Sequence, residues 1–558
     1  MKKRGRREKR RKNFFRHSKI IAGIPSESAA VDPEQEERKN MNIKPVPWDN
    51  DVLTVRQLLD WTEKEYGDKT CIKYFRDGEI KVKTYRDMCQ DSYSMARYIR
   101  SLNPERMHIA LIAKTNYEYI SCLNGIFMSN NVAVPMAYDA SPEDTAVLIN
   151  DADVEMVFFD DSYSHNEEAL RKLCPKVRYY IDLSNPGFFE NIYRNYNSES
   201  KNAYLSDVNI DPDDCTIIIY TSGTTGTRKG AMLSSRAVIS NVYYKELAFD
   251  SSKVTLNVLP MYHIFCFSCD YLKNLKDGVT ICLNGDIKNI NENLLRFNPH
   301  FMRMVPMVLE SLLRKTRIIR KSHPELSPRE AAEQVFGKNL TYIIAAGAPL
   351  SGKVSKEFED MGIAVRQGYG MTETGPRISV PDGKTCGSSV GRVISTCKVR
   401  IKDGEIQVKS PSLFMGYYKR PEETEKVFTD DGWLRTGDMG RLTDDNELFI
   451  TGRLKNIIIL SNGENVSPEE LEKKFADEPM VKEVVVYGEG NSIVAEVYPD
   501  FDHAARSGVS DIQKYMDEAI DRINASGSAS HIIDRAVIRN EPFMRTSTGK
   551  IVRPKKTA

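Results

Sequence analysis

Long apolar runs are missing from this 558-residue chain. None approaches the roughly 18 residues of a membrane-crossing helix. The longest, CTIIIY at 215–220 and NIIIL at 456–460, have the length of buried strands. Cysteine occurs ten times but without a regular spacing. No apolar segment near the start has the length of a secretory signal. A disulfide framework is therefore disfavoured, and free thiols in a reducing, cytoplasmic setting are expected. Internal repeats are absent, as is any nucleic-acid-binding motif, so no nucleic-acid partner is expected.

Apolar residues make up 41% and charged ones 28%, a globular profile. The length exceeds one ordinary core, and about two to four domains are expected. The net charge of +1 hides an asymmetry. Residues 1–19, MKKRGRREKRRKNFFRHSK, hold eleven Lys or Arg and one acid, which leaves −9 for the rest. Such a block is expected to be a disordered, solvated arm. Its alternative role is peripheral contact with anionic lipid on the inner face of a membrane, towards which Phe14 and Phe15 lean. Residues 20–50 read as a polar linker.

From about residue 53, strand and helix patterns alternate. VRQLLDWTEKEYG (55–67) has helical spacing, while MHIALIAK (107–114) and NVAVPM (131–136) read as short buried strands. Ser141 can cap a helix opening on Pro142, with Glu143 and Asp144 at its positive end. Alternation over some 400 residues predicts an α/β fold with mostly parallel sheets packed with helices. The last hundred residues differ. SPEELEKKFADEP predicts a capping box from Ser467 to Glu470. Two strands joined at Gly488–Asn491, a helix near 510–524 and a strand near 534–539 complete a small α+β unit. The expected organisation is an arm (1–19), a linker (20–50), a large multi-part domain (51–453) and a small mobile C-terminal domain (454–558).

The most specific stretch is YTSGTTGTRKG, residues 220–230. A strand running into glycines, hydroxyls and basic residues suits a polyphosphate. Glycines let the backbone approach, and N–H and O–H groups donate to the anion. The Walker spacing is not met, because Gly230 follows Lys229. The string resembles the signature of the adenylate-forming superfamily: acyl-CoA synthetases, adenylation domains and luciferase-like enzymes. Six further segments carry the same resemblance, in the family's order: LPMYHIF (259–265), AAGAPLS (345–351), QGYGMTETGP (367–376), DGWLRTGDMG (431–440), GRLKNIIILSNGENVSPEELE (452–472) and RTSTGKIVR (545–553).

The resemblance, nearest to bacterial-type medium- and long-chain fatty acid–CoA ligases, implies roles. Thr221, Ser222, Gly223, Thr224, Thr225, Gly226 and Lys229 would hold the ATP phosphates. Glu373 would bind Mg²⁺ and Thr372 an α-phosphate oxygen. Gly347, Ala348, Pro349 and Tyr369 would line adenine, with Asp438 and Arg453 at the ribose. Lys550 would meet the reacting carboxylate and α-phosphate. Lys455 would be the hinge and Gly463 would line the thiol channel. His263 resembles the His of acyl- and aryl-acid ligases.

Relatives that activate amino acids place an Asp where this chain has Cys266, so the substrate ammonium would lack its partner. The neighbouring FCFSCDYLKNL reads as apolar and aromatic, suited to an alkyl chain. The spacing His263-x-x-Cys266-x-x-Cys269 offers three ligands, fewer than a structural zinc site uses. The implied activity is acyl-AMP formation from a medium- or long-chain fatty acid and ATP, then transfer to CoA. The alternative acceptor is the phosphopantetheine of a separate acyl carrier protein. A non-catalytic nucleotide- or acyl-binding protein is opposed by the intact Lys550, Glu373 and Asp438.

Overall fold

A computed structural model describes residues 50–197, 205–221, 228–382, 389–460, 465–476, 478–490, 492–525, 532–545 and 551–553. Three seven-stranded sheets build the large part. The first runs Ala364–Gln367, Tyr342–Ala345, Phe301–Met304, Val254–Asn257, Thr280–Leu283, Thr70–Arg76, Glu79–Thr84, parallel except for the last pair. The second runs Gly416–Tyr417, Lys229–Ser234, Cys215–Thr221, Val132–Pro135, His108–Ile112, Met156–Phe159, Tyr179–Asp182. It is antiparallel only across its first three strands.

The short central strands are buried on both faces, as parallel strands covered by helices must be. One apolar core joins the two sheets. It contains Ile72, Ile281 and Met302 of the first and Ile109, Ile217 and Leu233 of the second. Helices Tyr85–Leu102 and Tyr117–Met128 contribute Met95, Ile99, Ile120 and Leu123 to it. The predicted cap forms where expected: Ser141 Oγ accepts from the Asp144 N–H at 3.1 Å.

The third sheet departs from the predominantly parallel expectation, being antiparallel throughout. Its Leu434–Leu442 strand starts with buried and accessible residues in alternation, the pattern of a sheet with one covered face. Ile378, Ile406, Val408 and Leu448 form that covered face.

Beyond Arg453 the chain builds a separate apolar core around Val486, Val497, Met516 and Ile520. Its sheet pairs Val481–Glu489 antiparallel with Ser492–Pro499, which pairs parallel with Arg535–Ile538. The capping box predicted at Ser467 does not form. The Ser467 hydroxyl donates to the Thr451 carbonyl at 2.7 Å instead, and Glu470 stays exposed. The bond to this tertiary carbonyl orients the Ser467 side chain, and its oxygen makes no cap bond to the helix. Among the described residues no helix is long and apolar enough to cross a membrane.

Candidate active site

The parallel sheet places the AAGAPLS and QGYGMTETGP segments side by side. Ala345 and Gln367 are register partners at the ends of neighbouring strands, and the Gly368 N–H donates to the Ala345 carbonyl. Gly347, Ala348 and Pro349 follow the first strand, Gly347 at φ +87°, where L side chains are strained. Tyr369 follows the second. The Leu350 N–H donates to Gln367 Oε1 at 3.0 Å and ties the two together.

After Tyr369 the chain turns sharply through Thr372–Thr374. A Cβ on Gly370 would stand 1.8 Å from the Pro376 carbonyl oxygen, so only glycine fits. Asn241 and Ser412 both donate to the Thr374 carbonyl. The turn buries Glu373 and leaves Thr372 partly accessible. Glu373 Oε1 accepts from the Tyr417 hydroxyl at 2.6 Å, and Oε2 has no hydrogen-bond partner among the described residues.

Lys229 opens the strand antiparallel to Cys215–Thr221, opposite Thr221. Its ammonium pairs with Glu423 and lies 5.0 Å from the Tyr417 ring centroid. Gly230 is required by packing, since a Cβ there would meet Ile218 at 2.8 Å. The middle of the phosphate loop, Ser222, Gly223, Thr224, Thr225 and Gly226, lies outside the described residues.

Asp438 and Arg453 are register partners on antiparallel strands. Arg453 Nε meets Asp438 Oδ1 at 2.7 Å, and the Tyr369 hydroxyl donates to Oδ2 at 2.7 Å. Burial and the Asp438 charge hold the Tyr369 phenol well above its usual range, so it stays a donor. Each carboxylate oxygen retains acceptor capacity for a further donor, as two ribose hydroxyls require.

His263 lies before the π-helix Phe265–Leu272. Burial pushes its imidazole down to about 4, so it is neutral near pH 7. The segment read as apolar holds charge. Asp270 is fully buried, bound by Arg303 at 3.3 Å, by Asn257 at 2.9 Å and by Asn274 at 3.1 Å. Lys273 is equally buried against Asp277, and burial pushes its ammonium down to about 8. Pairing lets these groups enter a core that the sequence pattern assigned to apolar side chains. Cys266 Sγ interacts with the Leu259 carbonyl and the Asn257 amide, and Cys269 is buried. Among the described residues no group of three or more His, Cys, Asp or Glu is placed to hold a metal.

Lys455 lies in the short turn Leu454–Asn456. Burial first, then Arg453 and Arg553, lower its ammonium pKa. Asn456 donates to Glu469 Oε1 at 2.6 Å. Arg553 reaches Glu469 at 3.2 Å and Glu472 at 2.7 Å, while the Val486 N–H donates to Glu472. Gly463 and Lys550 lie outside the described residues. Sequence reasoning passed over Tyr417, Glu423, Glu472 and Arg553. For Tyr417 and Glu423 the available signal was GYYKRPEET (416–424), a glycine–aromatic step into a Pro-opened helix with acids in its first turn.

The profile of the family described as AMP-binding enzyme matches residues 59–418, and that of the AMP-binding enzyme C-terminal domain matches 455–558. A 4-coumarate–CoA ligase 3 of Oryza sativa subsp. japonica is 30% identical over 324 residues, 52% of this chain and 55% of that protein. Long-chain-fatty-acid–CoA ligase ACSBG1 of Rattus norvegicus is 25% identical over 78% of this chain and 69% of its own length. Long-chain-fatty-acid–CoA ligase FadD15 of Mycobacterium bovis is 26% identical over 69% and 72%. In fold, the chain resembles ATP-bound MatB from Rhodopseudomonas palustris, with TM-score 0.74 and 21% identity over 89% of this chain and 97% of that one. The chain belongs to the AMP-binding, adenylate-forming enzyme family.

Proposed function

We propose that this chain is an AMP-forming acid–thiol ligase that condenses a medium- or long-chain fatty acid with ATP to give acyl-AMP and pyrophosphate, then passes the acyl group to CoA. The observation that carries the first step is the meeting of Lys229 and Glu373 at Tyr417. There one cation, at the start of the strand paired with Cys215–Thr221, and one half-open carboxylate lie against the same tyrosine.

Mg²⁺ suits this donor set. A hard cation bridging phosphates needs carboxylate oxygen and little else from the protein, and Glu373 Oε2 offers it. When bound, it would offset charge on the phosphates during displacement at the α-phosphorus. Thr372 would donate to an α-phosphate oxygen, and Lys229 with the loop 221–226 would hold the outgoing pyrophosphate. Tyr369 and Gly347–Pro349 would lie against adenine, and Asp438 and Arg453 would meet the ribose. Lys550 would neutralise the approaching carboxylate and the α-phosphate together. The boundary falls after Arg453, with rotation at Lys455 exchanging Lys550 for the Gly463 channel.

The fatty acid rests on two supports. Two of the relatives above are named as long-chain-fatty-acid–CoA ligases. Within the chain, Cys266 supplies no charge for an ammonium, and Asp270 is committed to Arg303. The test is pyrophosphate release over acids of graded length, with CoA or a purified carrier protein as acceptor. Activity should rise by about 0.8 kcal/mol of binding per buried methylene until the chain fills its pocket. A preference for an amino acid rejects the fatty-acid assignment. Thioester formed only on carrier protein rejects CoA as the acceptor.

A further inference from the structure

Tyr417 stands where three charged side chains converge. Its hydroxyl donates to Glu373 Oε1 at 2.6 Å. The Lys229 ammonium lies 5.0 Å from its ring centroid, and the same ammonium is paired with Glu423.

The tyrosine is held on every side. Its N–H donates to Thr424 Oγ1 at 2.8 Å. Its backbone pairs with Ala231, on the strand that begins at Lys229. Its ring meets that of Phe414 edge-on, with centroids 4.9 Å apart. Glu373 is anchored as well, because the Phe414 N–H donates to its carbonyl at 2.9 Å. A glutamate carboxylate rotates about its last bond, and that torsion is broad and soft. Fixing Oε1 removes the freedom and leaves Oε2 one direction to point. That oxygen has no hydrogen-bond partner among the described residues.

We propose that Tyr417 is a positioning residue for the divalent cation that accompanies ATP. Its hydroxyl fixes Glu373 so that Oε2 is presented to the metal, and its ring keeps Lys229 beside the same phosphates. The role rests on the reading of Glu373 as the Mg²⁺ ligand. Removing a partner that orients a ligating carboxylate typically costs about 10- to 100-fold in metal affinity.

The test uses the full chain, Mn²⁺ as a paramagnetic probe and ATP. Tyr417→Phe keeps the ring and removes only the O–H. Mn²⁺ affinity in the ATP complex, read by electron paramagnetic resonance, should fall about 10- to 100-fold. The Mg²⁺ concentration for half-maximal pyrophosphate release should rise by a similar factor, and turnover should recover at saturating Mg²⁺. A lowered melting temperature with wild-type Mn²⁺ affinity overturns the proposal, leaving the hydroxyl a purely structural bond. Glu373→Gln separates the two readings. Wild-type Mn²⁺ affinity in that variant overturns the metal assignment and the proposal with it. Lost affinity there, with Tyr417→Phe unchanged, overturns the positioning role alone. Should Tyr417→Phe fail to fold, 3-fluorotyrosine at position 417 retains the hydroxyl as a stronger donor. Altered Mn²⁺ affinity then supports the role and unaltered affinity overturns it.

Discussion

Arg453 and Asp438 form an ion pair across two antiparallel strands, Nε to Oδ1 at 2.7 Å, two residues before Lys455. The pair joins the end of the large domain's last strand to the carboxylate assigned to the ribose. Asp438→Asn keeps the shape and removes the charge. Hydrogen bonds to a charged group contribute about 1.5–3 kcal/mol each, so ATP should bind at least about tenfold more weakly. The wild type should discriminate against 2′,3′-dideoxy-ATP, and the variant should largely lose that discrimination. Competition binding of the two nucleotides measures both. Undiminished discrimination in Asp438→Asn would remove Asp438 from the ribose.

Lys550→Ala should slow acyl-AMP formation on the order of a hundred- to a thousandfold, the scale of losing one preorganised electrostatic contact. Preformed acyl-AMP plus thiol should still give thioester at near wild-type rate. Gly463→Leu should do the reverse, blocking the thiol while pyrophosphate release continues. Single-turnover kinetics of each half-reaction reads both. Equal impairment of the two steps by Lys550→Ala would mean the lysine serves more than adenylation.

Glu472 links stability to pH. Burial pushes its carboxyl up to about 7, in spite of Arg553 at 2.7 Å. A carboxyl raised in the folded state contributes fully below its unfolded pKa and loses that contribution as pH rises to the folded value. Wild type should therefore lose stability relative to Glu472→Gln between about pH 4.5 and 7, by about 3 kcal/mol at most. Above that window the difference should level off. Chemical denaturation of both proteins across the range gives the curve. A constant difference would place Glu472 in water rather than packed against Arg553 and the Val486 backbone.

What the sequence made legible was local. The Ser141 cap depends on a partner three residues away and formed. The buried strands depend on their own composition. The segments 345–351 and 367–376 fall at strand ends because a parallel sheet leaves its loops there. What stayed hidden depends on distant partners. Tyr417 and Glu373 are 44 positions apart, and Glu472 and Arg553 are 81 apart. Asp270 was absorbed into an apolar reading because its neutralising cation, Arg303, comes from the strand Phe301–Met304, 33 positions away. Ser467 followed its local pattern in composition but donated to a carbonyl of the strand Glu447–Arg453. The wholly antiparallel third sheet stayed hidden for another reason. Its hairpin partners are close in sequence, Lys398–Lys402 with Glu405–Lys409 and Leu434–Leu442 with Glu447–Arg453, but register shifts at Glu405/Gln407 and Met439/Gly440 break the alternation.

The Asn257 amide is shared between Cys266 Sγ and Asp270 Oδ2, each at 2.9 Å. This arrangement restricts the evolutionary neighbours of the enzyme. A lineage drifting towards amino-acid substrates would need a carboxylate at position 266. There it would face Asp270, with Arg303 alone to balance two negative charges out of water. Cys266→Asp by itself would therefore cost folding before it gained a new substrate. Loss of Asp270 first would strand Arg303, which is equally buried. Either order of mutation passes through a less stable intermediate, so position 266 is insulated against gaining a carboxylate in a single step.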